Sequence, residues 1–396
     1  MQNDFGSGDK IRVGFVFSYV HDRWIGGYNY FRNLISAISS LPKSRICPVI
    51  ITGHQLYRSL PDEFKNIETV CCKFIDRWTI PWLLRHLNKR LLDKDFLLYN
   101  ILKKHNIHVL SHSGHLGIRA DIPCLCWIPD FQHLYLPEYF SRLQLYERNR
   151  YFKDLCRKCQ GIILSSQAAK SDLEKYYPAH RAKLYVLHFV AKLVKGYEKI
   201  SFDYLAEKYN IKSQYFHLPN QFWAHKNHDV VIEALRILKE KGKEVLVVAT
   251  GNPVDYRKSG TYKNIMQKIR EYGIKDQFNL IGVVPYKELM AIMLHSIAVI
   301  NPSFFEGWSS TVEEAKSMGK RIILSDIPVH REQKPARGIY FTPGDPEELA
   351  EILSDSISVH HPDEERQFLN QANHIFSKRV EIFAQNYEQI VLDFYD

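Results

Sequence analysis

The sequence lacks the long apolar runs of a membrane-spanning protein. No stretch of its 396 residues approaches the run of about 18 apolar residues that a membrane-spanning helix requires. Its first residues also lack the ordered basic, apolar and small-residue regions of a secretory signal peptide. Hydrophobic residues at 45% and charged residues at 24% are ordinary for globular proteins, which excludes disorder and collagen. The sequence therefore predicts a folded, soluble protein of the cytoplasm.

Cysteine is scarce and scattered. The seven cysteines are Cys47, Cys71, Cys72, Cys124, Cys126, Cys156 and Cys159. Their odd number and wide scatter predict no disulfide framework. The last four can be written as a four-thiolate zinc site, but their spacings are not those of a zinc ribbon or finger. We expect no bound metal, and reduced thiols that act as small buried hydrophobic side chains.

Acidic residues are outnumbered by basic residues. Fifty-three Lys and Arg against 44 Asp and Glu leave a net charge of +9, with 18 His in addition. A basic excess of this kind favours polyanions, anionic lipids or phosphorylated ligands as partners. The charge by itself does not choose among them.

Short β-branched runs alternate with longer helical patterns along the chain. The predicted strands are residues 12–17, 48–52, 108–111, 123–128, 161–165, 184–189, 215–219, 245–250, 278–281, 297–300, 321–324 and 339–341. Strands that alternate with helices form parallel sheets through crossover connections. The sequence therefore predicts an α/β protein.

The alternation forms two series, which meet near residue 200. The lysine-rich stretch 192–202 lacks a clear period and is the predicted linker. We expect two doubly wound parallel-sheet domains facing a cleft, residues 1–195 and 203–378, with a final helix, 379–396, that packs back on the first domain. Ligands of such sheets bind at the carboxyl ends of strands, so the loops from strand to helix are the candidate sites.

The most informative loop joins the strand at 297–300 to the next predicted helix. Gly307 allows a ligand to approach the backbone. Ser309, Ser310 and Thr311 favour a helix start, and the free amides of a helix start bind anions. The loop therefore predicts a cradle for an anion such as a diphosphate.

Two carboxylates accompany this cradle. Glu306 in the loop and Glu314 in the helix could flank one ligand and accept hydrogen bonds from sugar or ribose hydroxyls. A structural alternative stays open, because Thr311-x-x-Glu314 and Ser310-x-x-Glu313 are both capping-box patterns that need no ligand. Only one box can form fully at one helix start, and a box with Glu313 leaves Glu314 for a ligand.

The same stretch resembles the E-x7-E signature of the retaining glycosyltransferases of the GT-B fold, in particular glycosyltransferase family 4. The matching positions hold Glu306, Gly307, an aromatic residue at Trp308, Glu314 and Ala315. The resemblance implies that Glu306 lies at the donor sugar, that the amides from Gly307 to Ser310 meet sugar and phosphate, and that Glu314 binds the ribose. Ser309 stands where the family has Gly and would narrow the space near the sugar.

Neighbouring loops extend the resemblance. Residues 281–289, which include Val284, resemble the loop beside the nucleotide base. Similar enzymes carry an Arg and a Lys on the diphosphate after the strand at 215–219. Lys226 matches that Lys, whereas Gln221 stands at the Arg position and offers only a neutral amide. We expect greater reliance on Lys226 and the helix amides, and the structural alternative is a solvated basic loop.

The first half carries further candidates. Gly26 and Gly27, followed by Tyr28, resemble the glycine loop that places the donor phosphates and the acceptor, although an ordinary turn has the same composition. Asp130 stands where similar enzymes have His-Asp, and His133 follows three positions on. Either could contact the reacting sugar hydroxyls or the acceptor. The alternative is an Asp that caps a turn.

The resemblance implies a reaction without a metal ion. In such retaining enzymes the departing phosphate takes the acceptor proton on the same face, so stabilisation of the leaving group matters most. The one D-x-D of the sequence, Asp93 to Asp95, falls in a helical pattern, which argues against a metal-dependent GT-A site. We expect no cofactor besides the nucleoside diphosphate sugar donor, for which GDP-mannose, a UDP-sugar and a dTDP-sugar all stay open.

A basic and aromatic segment, residues 77–92, has two interpretations. It joins two Trp and a stripe of Leu to four Lys and Arg side chains. Such a helix can lie at a membrane interface and meet anionic headgroups. It can also be a core helix whose basic side faces water. A lipid-linked acceptor would favour a peripheral contact at the inner face of the cytoplasmic membrane.

These features predict a retaining glycosyltransferase that acts on a glycan or lipid-linked glycan acceptor, in the assembly of lipopolysaccharide, capsule or another surface polysaccharide. Two alternatives stay open. A sugar-nucleotide epimerase of similar fold would convert sugar isomers without an acceptor. A noncatalytic polyanion-binding protein would lose affinity steeply with salt. No nucleic-acid partner is expected.

Overall fold

The computed structural model of the protein describes residues 10–18, 25–117, 120–255 and 260–395. The chain divides into two compact units. The first unit takes the described residues of Met1–Phe131, Tyr146–Val190 and Lys378–Asp396, and the second takes Gln132–Leu145 and those of Ala191–Ser377. The predicted boundaries place residues 132–145 in the first domain, whereas they belong to the second unit.

The first unit is built on a seven-stranded parallel sheet. Its strands are β1 (Ile11–Phe17), β2 (Ile46–Thr52), β3 (Thr69–Cys71), β4 (Val109–Ser111), β5 (Cys124–Ile128), β6 (Gly161–Leu164) and β7 (Lys183–Val186). They lie in the order β3-β2-β1-β4-β5-β6-β7, so the order reverses between β1 and β4.

The second unit repeats this plan with six parallel strands. Its strands are β8 (Tyr215–Leu218), β9 (Leu246–Thr250), β10 (Phe278–Gly282), β11 (Val299–Asn301), β12 (Ile322–Ser325) and β13 (Gly338–Phe341). They lie in the order β10-β9-β8-β11-β12-β13, which reverses between β8 and β11. This order is that of the dinucleotide-binding doubly wound fold.

Helices connect the strands in both units. They are α1 (Ile25–Ser39), α2 (His54–Tyr57), α3 (Ile80–Leu92), α4 (Phe96–Lys104), α5 (Gln132–Tyr135), α6 (Arg142–Lys158), α7 (Gln167–Tyr176), α8 (Phe202–Tyr209), α9 (His228–Glu240), α10 (Thr261–Glu271), α11 (Tyr286–His295), α12 (Ser310–Met318), α13 (Pro328–Gln333), α14 (Pro346–Ser358) and α15 (Pro362–Tyr395). Short side chains set several helix starts: Ser166, Ser201 and Asp345 each accept a hydrogen bond from the amide three residues on.

The second sheet is covered on both faces. One apolar cluster joins residues of α9, α10 and α14 to one face, through side chains such as Ile300 of β11. The neighbouring residue Val299 points the other way, into a cluster with residues of α11 and α12. Burial on both faces explains why the strands are continuous apolar runs without alternation. The predicted α/β class with two doubly wound parallel sheets is confirmed.

Three elements differ from the sequence-based expectations. The short strand β3 was not predicted, because three residues carry almost no period. The predicted linker is packed, since Tyr197 is buried in a cluster of the second unit and Leu193 and Val194 pack against it. The last helix begins at Pro362, well before residue 379, and its residues from 378 on belong to the first unit.

The expectation of reduced thiols is wrong for one pair. Cys126 of β5 and Cys159, just before β6, form a disulfide with their Cα atoms 6.4 Å apart. The two positions are 33 residues apart in sequence, but β5 and β6 are neighbours in the sheet. The other five cysteines are free.

Candidate active site

The candidate site of the second unit lies where the strand order reverses. β8 and β11 are adjacent and parallel. The chain leaves them through the loops 219–227 and 302–309, which lead to α9 on one face of the sheet and α12 on the other. Loops that diverge in this way leave a crevice at the carboxyl ends of the strands, where open α/β sheets bind ligands.

Lys226 and Glu306 meet in this crevice. Lys226 Nζ donates to Glu306 Oε1 over 2.6 Å, and the side chains are only 18% and 10% exposed. Ser303 Oγ donates to the same carboxylate oxygen over 2.7 Å. Burial by itself would raise the pKa of Glu306, but the charge of Lys226 and these hydrogen bonds outweigh it and hold the pKa below its usual range. Glu306 is therefore an ionised carboxylate beside a cation.

Hydrogen bonds to backbone carbonyls hold the turn that carries Lys226. It ends a short turn, residues 224–226, after which Asn227 takes a left-handed conformation with φ of 51°. Asn227 Nδ2 donates to the carbonyls of Pro302 and Pro343, over 3.1 and 2.7 Å. The amide of Phe304 donates to the carbonyl of His225. The residues on either side of Lys226 in the sequence thus join the loop after β8 to the loop after β11.

The start of α12 differs from both predicted capping boxes. The N-cap is Ser309, whose hydroxyl accepts from the Val312 amide. Both boxes, which place the cap at Ser310 or Thr311, are therefore wrong. The hydroxyl of Ser309 also accepts from Asn301 Nδ2 over 2.7 Å, and the residue is buried. Its side chain is thus engaged by the protein.

A helix start with unused amides faces the same loop. The amides of Ser310 and Thr311 make no hydrogen bond to the residues that the structure describes. The helix dipole adds partial positive charge at this end. Together with Lys226, the start of α12 is suited to an anion.

Glu314 is a second carboxylate with a different environment. It is buried in α12, and the hydroxyl of Tyr286 at the start of α11 donates to its Oε1 over 2.8 Å. Burial raises its pKa to about 7, and the Tyr286 hydrogen bond lowers it only in part. With neither capping box formed, Glu314 is not used as a cap.

A buried network of polar side chains supports the loop between β11 and α12. Asn301, the last residue of β11, accepts from Asn220 Nδ2 through its oxygen and donates to Ser309 Oγ and His330 Nε2. Gln333 clamps the Ser309 peptide, since its Oε1 accepts from the Ser309 amide and its Nε2 donates to the Ser309 carbonyl. Gln333 Nε2 also donates to Glu313. These bonds fix the backbone at the start of α12.

Replacing Gln333 with Leu is expected to lower the free energy of unfolding by about 1 to 3 kcal/mol, because it leaves the buried Ser309 amide without its partner. It should also raise KM for the donor, since the α12 start loses its support. Urea unfolding and donor titration measure both. The control is Gln267→Leu, because the Gln267 side chain is exposed on α10 and donates to the exposed side chain of Glu271. Equal behaviour of the two variants would contradict the role given to Gln333.

The other predicted donor residues of the second unit lie on loops at this end of the sheet. Gln221 follows β8 beside Gly251, which has φ of 142° and where an added Cβ would lie 2.4 Å from the Asn220 carbonyl oxygen. Only glycine permits this approach between the β8 and β9 loops. Val284 follows β10 and packs against a buried cluster. Gly307 and Trp308 are half-buried in the β11 loop.

His133 lies in the second unit although it was assigned to the first domain. It is buried in the short helix α5, where its ring lies 6.4 Å from that of Phe140. In the same helix, the ring of Tyr135 lies 5.4 Å from the ring of Phe305. Residues 132–145 therefore contact the loop that carries Glu306.

The predicted site residues of the first unit lie on α1 and directly after β5. Gly26 and Gly27 lie in the first turn of α1, while the preceding residues 21–24 of the predicted loop are outside the described residues. Tyr28 is half-buried, and burial raises its pKa. Asp130 follows β5, and its Oδ1 lies 3.9 Å from a guanidinium nitrogen of Arg148.

No group of three or more metal-binding side chains occurs among the described residues. Asp93 and Asp95 do not lie within a helix as predicted: they end α3 and begin α4. Asp95 pairs with Arg85 and Asp93 with Lys158. Within the part of the chain that the structure describes, no helix is long and apolar enough to cross a membrane.

Sequence reasoning gave no role to four residues of this site: Tyr286, Asn301, Ser303 and Gln333. Asn301 and Ser303 are polar residues directly after a buried strand, and that position was a usable signal. Tyr286 and Gln333 come from α11 and α13. No local pattern connects them with the β11 loop.

The fold is thus that of a two-unit, Rossmann-like α/β protein. Residues 201–374, less than half of the chain but most of the second unit, match the model of the family Glycosyl transferases group 1. The O-antigen chain mannosyltransferase RfbU of Salmonella typhimurium is 25% identical over 218 residues, which are 55% of this chain and 56% of that protein. The chain thus spans little more than half the length of this relative.

Solved structures of other proteins have the same fold over nearly the whole chain. HepE of Anabaena, in complex with UDP and glucose, has a TM-score of 0.67 at 15% identity, with 97% of this chain and 100% of that chain covered. WaaG, a glycosyltransferase involved in lipopolysaccharide biosynthesis, has a TM-score of 0.62 at 14% identity, with 96% and 99% covered. These likenesses show the GT-B fold.

Proposed function

We propose that the protein is a retaining glycosyltransferase of family 4 that moves a sugar from a nucleoside diphosphate sugar to a hydroxyl of a glycan, without a metal ion. The observation that carries the proposal is the Lys226–Glu306 pair beside the unused amides at the start of α12. A cation next to a helix start suits a diphosphate, and an adjacent ionised carboxylate suits sugar hydroxyls. The family match over residues 201–374 supports it.

In this proposal Lys226 and the α12 amides hold the diphosphate, Glu306 contacts the donor sugar and Glu314 binds the ribose. The bond from the sugar C1 to the phosphate oxygen breaks, and C1 bonds to the acceptor oxygen on the same face. The acceptor proton passes to the departing phosphate. The positive groups stabilise the charge that develops on that phosphate, which is the largest contribution such a site makes.

The remaining candidates have supporting roles. Gln221, Gly307, Trp308 and Ser309 would line the donor site, and Val284 would lie beside the base. In the first unit, Gly26 and Gly27 would approach the donor phosphates, and Tyr28 the acceptor. Asp130 is proposed to contact the reacting sugar hydroxyls and His133 the acceptor.

The acceptor is proposed to be a growing glycan of a surface polysaccharide, and the enzyme to act in the cytoplasm. RfbU is by name an O-antigen chain mannosyltransferase, which supports mannose as the sugar and GDP-mannose as the first donor to test. HepE was solved with UDP and glucose, which supports UDP-glucose as the alternative donor.

A thermal-shift panel of UDP, GDP, dTDP and ADP tests this function. A nucleotide that binds only the folded protein stabilises it by about 2.7 kcal/mol at a hundred times Kd. We expect one nucleotide to raise Tm by about 5 to 10 °C. The matched sugar nucleotide, with an acceptor glycan, should then give a product with the anomeric configuration of the donor.

Other outcomes would identify a different function. Conversion of sugar isomers without an acceptor would indicate an epimerase. Binding that shows no nucleotide selectivity and falls steeply with salt would indicate a polyanion-binding protein. A product whose anomeric configuration is inverted relative to the donor would support sugar transfer but contradict the retaining mechanism.

A further inference from the structure

Helix α3 of the first unit carries its apolar face outward. The exposed large apolar side chains of this helix include Ile80, Leu83, Leu84, Leu87 and Leu91. Ile80 and Leu91 are 76% and 71% exposed, and no residue of α3 is buried. Because residues three, four and seven apart share a helix face, these five side chains form one continuous stripe. The interpretation of residues 77–92 as a core helix is therefore wrong.

Polar contacts on the opposite side hold the helix in this orientation. Arg85 donates two hydrogen bonds from Nε and Nη2 to Asp95 Oδ2, whose side chain is only 1% exposed. Asp95 in turn caps α4. Lys89 also lies on this side, where its partial burial lowers its pKa. An ion pair and a cap thus hold this side of α3 against the unit.

The surface around the stripe is positively charged. Arg77, Arg90 and Lys94 are exposed, and no ion pair of the described residues involves them. Trp78, at 86% exposure, lies just before the helix.

The acidic side chains of the same segment are already hydrogen-bonded or ion-paired within the protein. Asp76 is buried and accepts from the amides of His54 and Gln55. Asp93 accepts from Lys158 over 2.6 Å, and Asp95 is paired with Arg85. The exposed surface thus combines a leucine stripe, a tryptophan and unpaired cations.

We propose that α3, with Arg77, Trp78 and Lys94, binds the surface of an anionic lipid bilayer. The leucine stripe would enter the boundary between headgroups and acyl chains, and the cations would meet lipid phosphates. A second copy of the chain fits less well as the partner. A twofold interface between two stripes would bring the cations around one stripe close to the cations around the other. This inference does not depend on transferase activity.

Sedimentation of the full chain with vesicles tests the proposal, comparing phosphatidylcholine alone with phosphatidylcholine plus phosphatidylglycerol. We expect binding to the anionic vesicles that weakens with salt. Leu84→Gln with Leu87→Gln should reduce it at least roughly tenfold, because the variant lacks two apolar side chains whose transfer from water into the bilayer favours binding. Arg77→Gln with Arg90→Gln should reduce it about 25-fold, at about fivefold for each cation.

Matched controls lie elsewhere on the chain. Ile375→Gln with Ile382→Gln removes two exposed apolar side chains of α15 and should leave binding unchanged. Lys263→Gln with Arg366→Gln removes two exposed cations and should have little effect. All variants should keep the wild-type circular dichroism melt, because the replaced side chains are exposed.

Three results would overturn the proposal. The first is no binding to anionic vesicles by the folded wild-type chain. The second is binding that the α3 variants and the controls alter equally. The third is a dimer, seen by light scattering, that the leucine variant disperses while vesicle binding is unchanged or absent, which would make the stripe an interface between copies.

Discussion

Replacing Lys226 with Met is expected to lower kcat by about a hundredfold to a thousandfold, the usual loss when one charge-stabilising group is removed from an active site. The same change should destabilise the protein. It leaves Glu306 as a buried carboxylate without its cation, and breaking a buried pair from one side costs about 3 to 5 kcal/mol. Transfer assays and urea unfolding measure the two effects.

A double variant separates catalysis from stability. Adding Glu306→Gln to Lys226→Met removes the unpaired charge, so most of the lost unfolding free energy should return while activity stays low. Lys263→Met, at an exposed position of α10, is the matched control and should change neither quantity. Recovery of activity together with stability would show that Lys226 has only a structural role.

Replacing Glu314 with Gln is expected to stabilise the nucleotide-free protein at pH 8 and to weaken nucleotide binding. Burial raises the Glu314 pKa from 4.5 to about 7. Between pH 4.5 and about pH 7, the folded state therefore keeps a proton on Glu314 that the unfolded state has released. The contribution of Glu314 to the free energy of unfolding is therefore fully present below pH 4.5 and is lost as the pH rises to about 7 and above. The loss amounts to about 3 kcal/mol, which the variant avoids.

The nucleotide effect of the same variant has the opposite sign. Ribose hydroxyls that donate to a carboxylate make charge-assisted hydrogen bonds, and a neutral amide should weaken binding by roughly tenfold to a hundredfold. For the wild type, affinity should rise as pH passes through about 7, when Glu314 ionises. Calorimetric titration at pH 6 and pH 8 measures this.

Glu313 is the neighbouring control for Glu314. It is equally buried but already pairs with Lys316 and accepts from Gln333. Glu313→Gln should therefore give no gain in stability at pH 8. A stability change in Glu314→Gln that is the same at pH 5 and pH 8 would refute the raised pKa.

Much of the second unit follows from local pattern. Runs such as residues 215–218 and 246–250 are apolar because helices cover both faces of the sheet, and each is bounded by turn residues. The Glu306 loop could also be recognised from the sequence, because a turn rich in small residues and serine after a buried strand needs only a few consecutive residues. Strand β3 escaped because its three residues are too few to show a period.

Contacts between distant elements could not be predicted in this way. Ser309 rather than Ser310 caps α12 because Asn301 and Gln333 hold Ser309, and Gln333 comes from α13. Tyr286 reaches Glu314 from α11 across 28 positions. Cys126 and Cys159 join because β5 and β6 are neighbours in the sheet. Each of these depends on which elements pack together.

The sequence by itself determined the α/β alternation, the two series of strands and the residue types of the candidate site, because periodicity and turn chemistry are local. The tertiary structure decided that Lys226 and Glu306, 80 positions apart, form one pair, because the strand order reverses between β8 and β11. It also decided which side of α3 faces outward. The period of the helix shows that it has two faces, but the buried Arg85–Asp95 pair fixes the polar face against the protein.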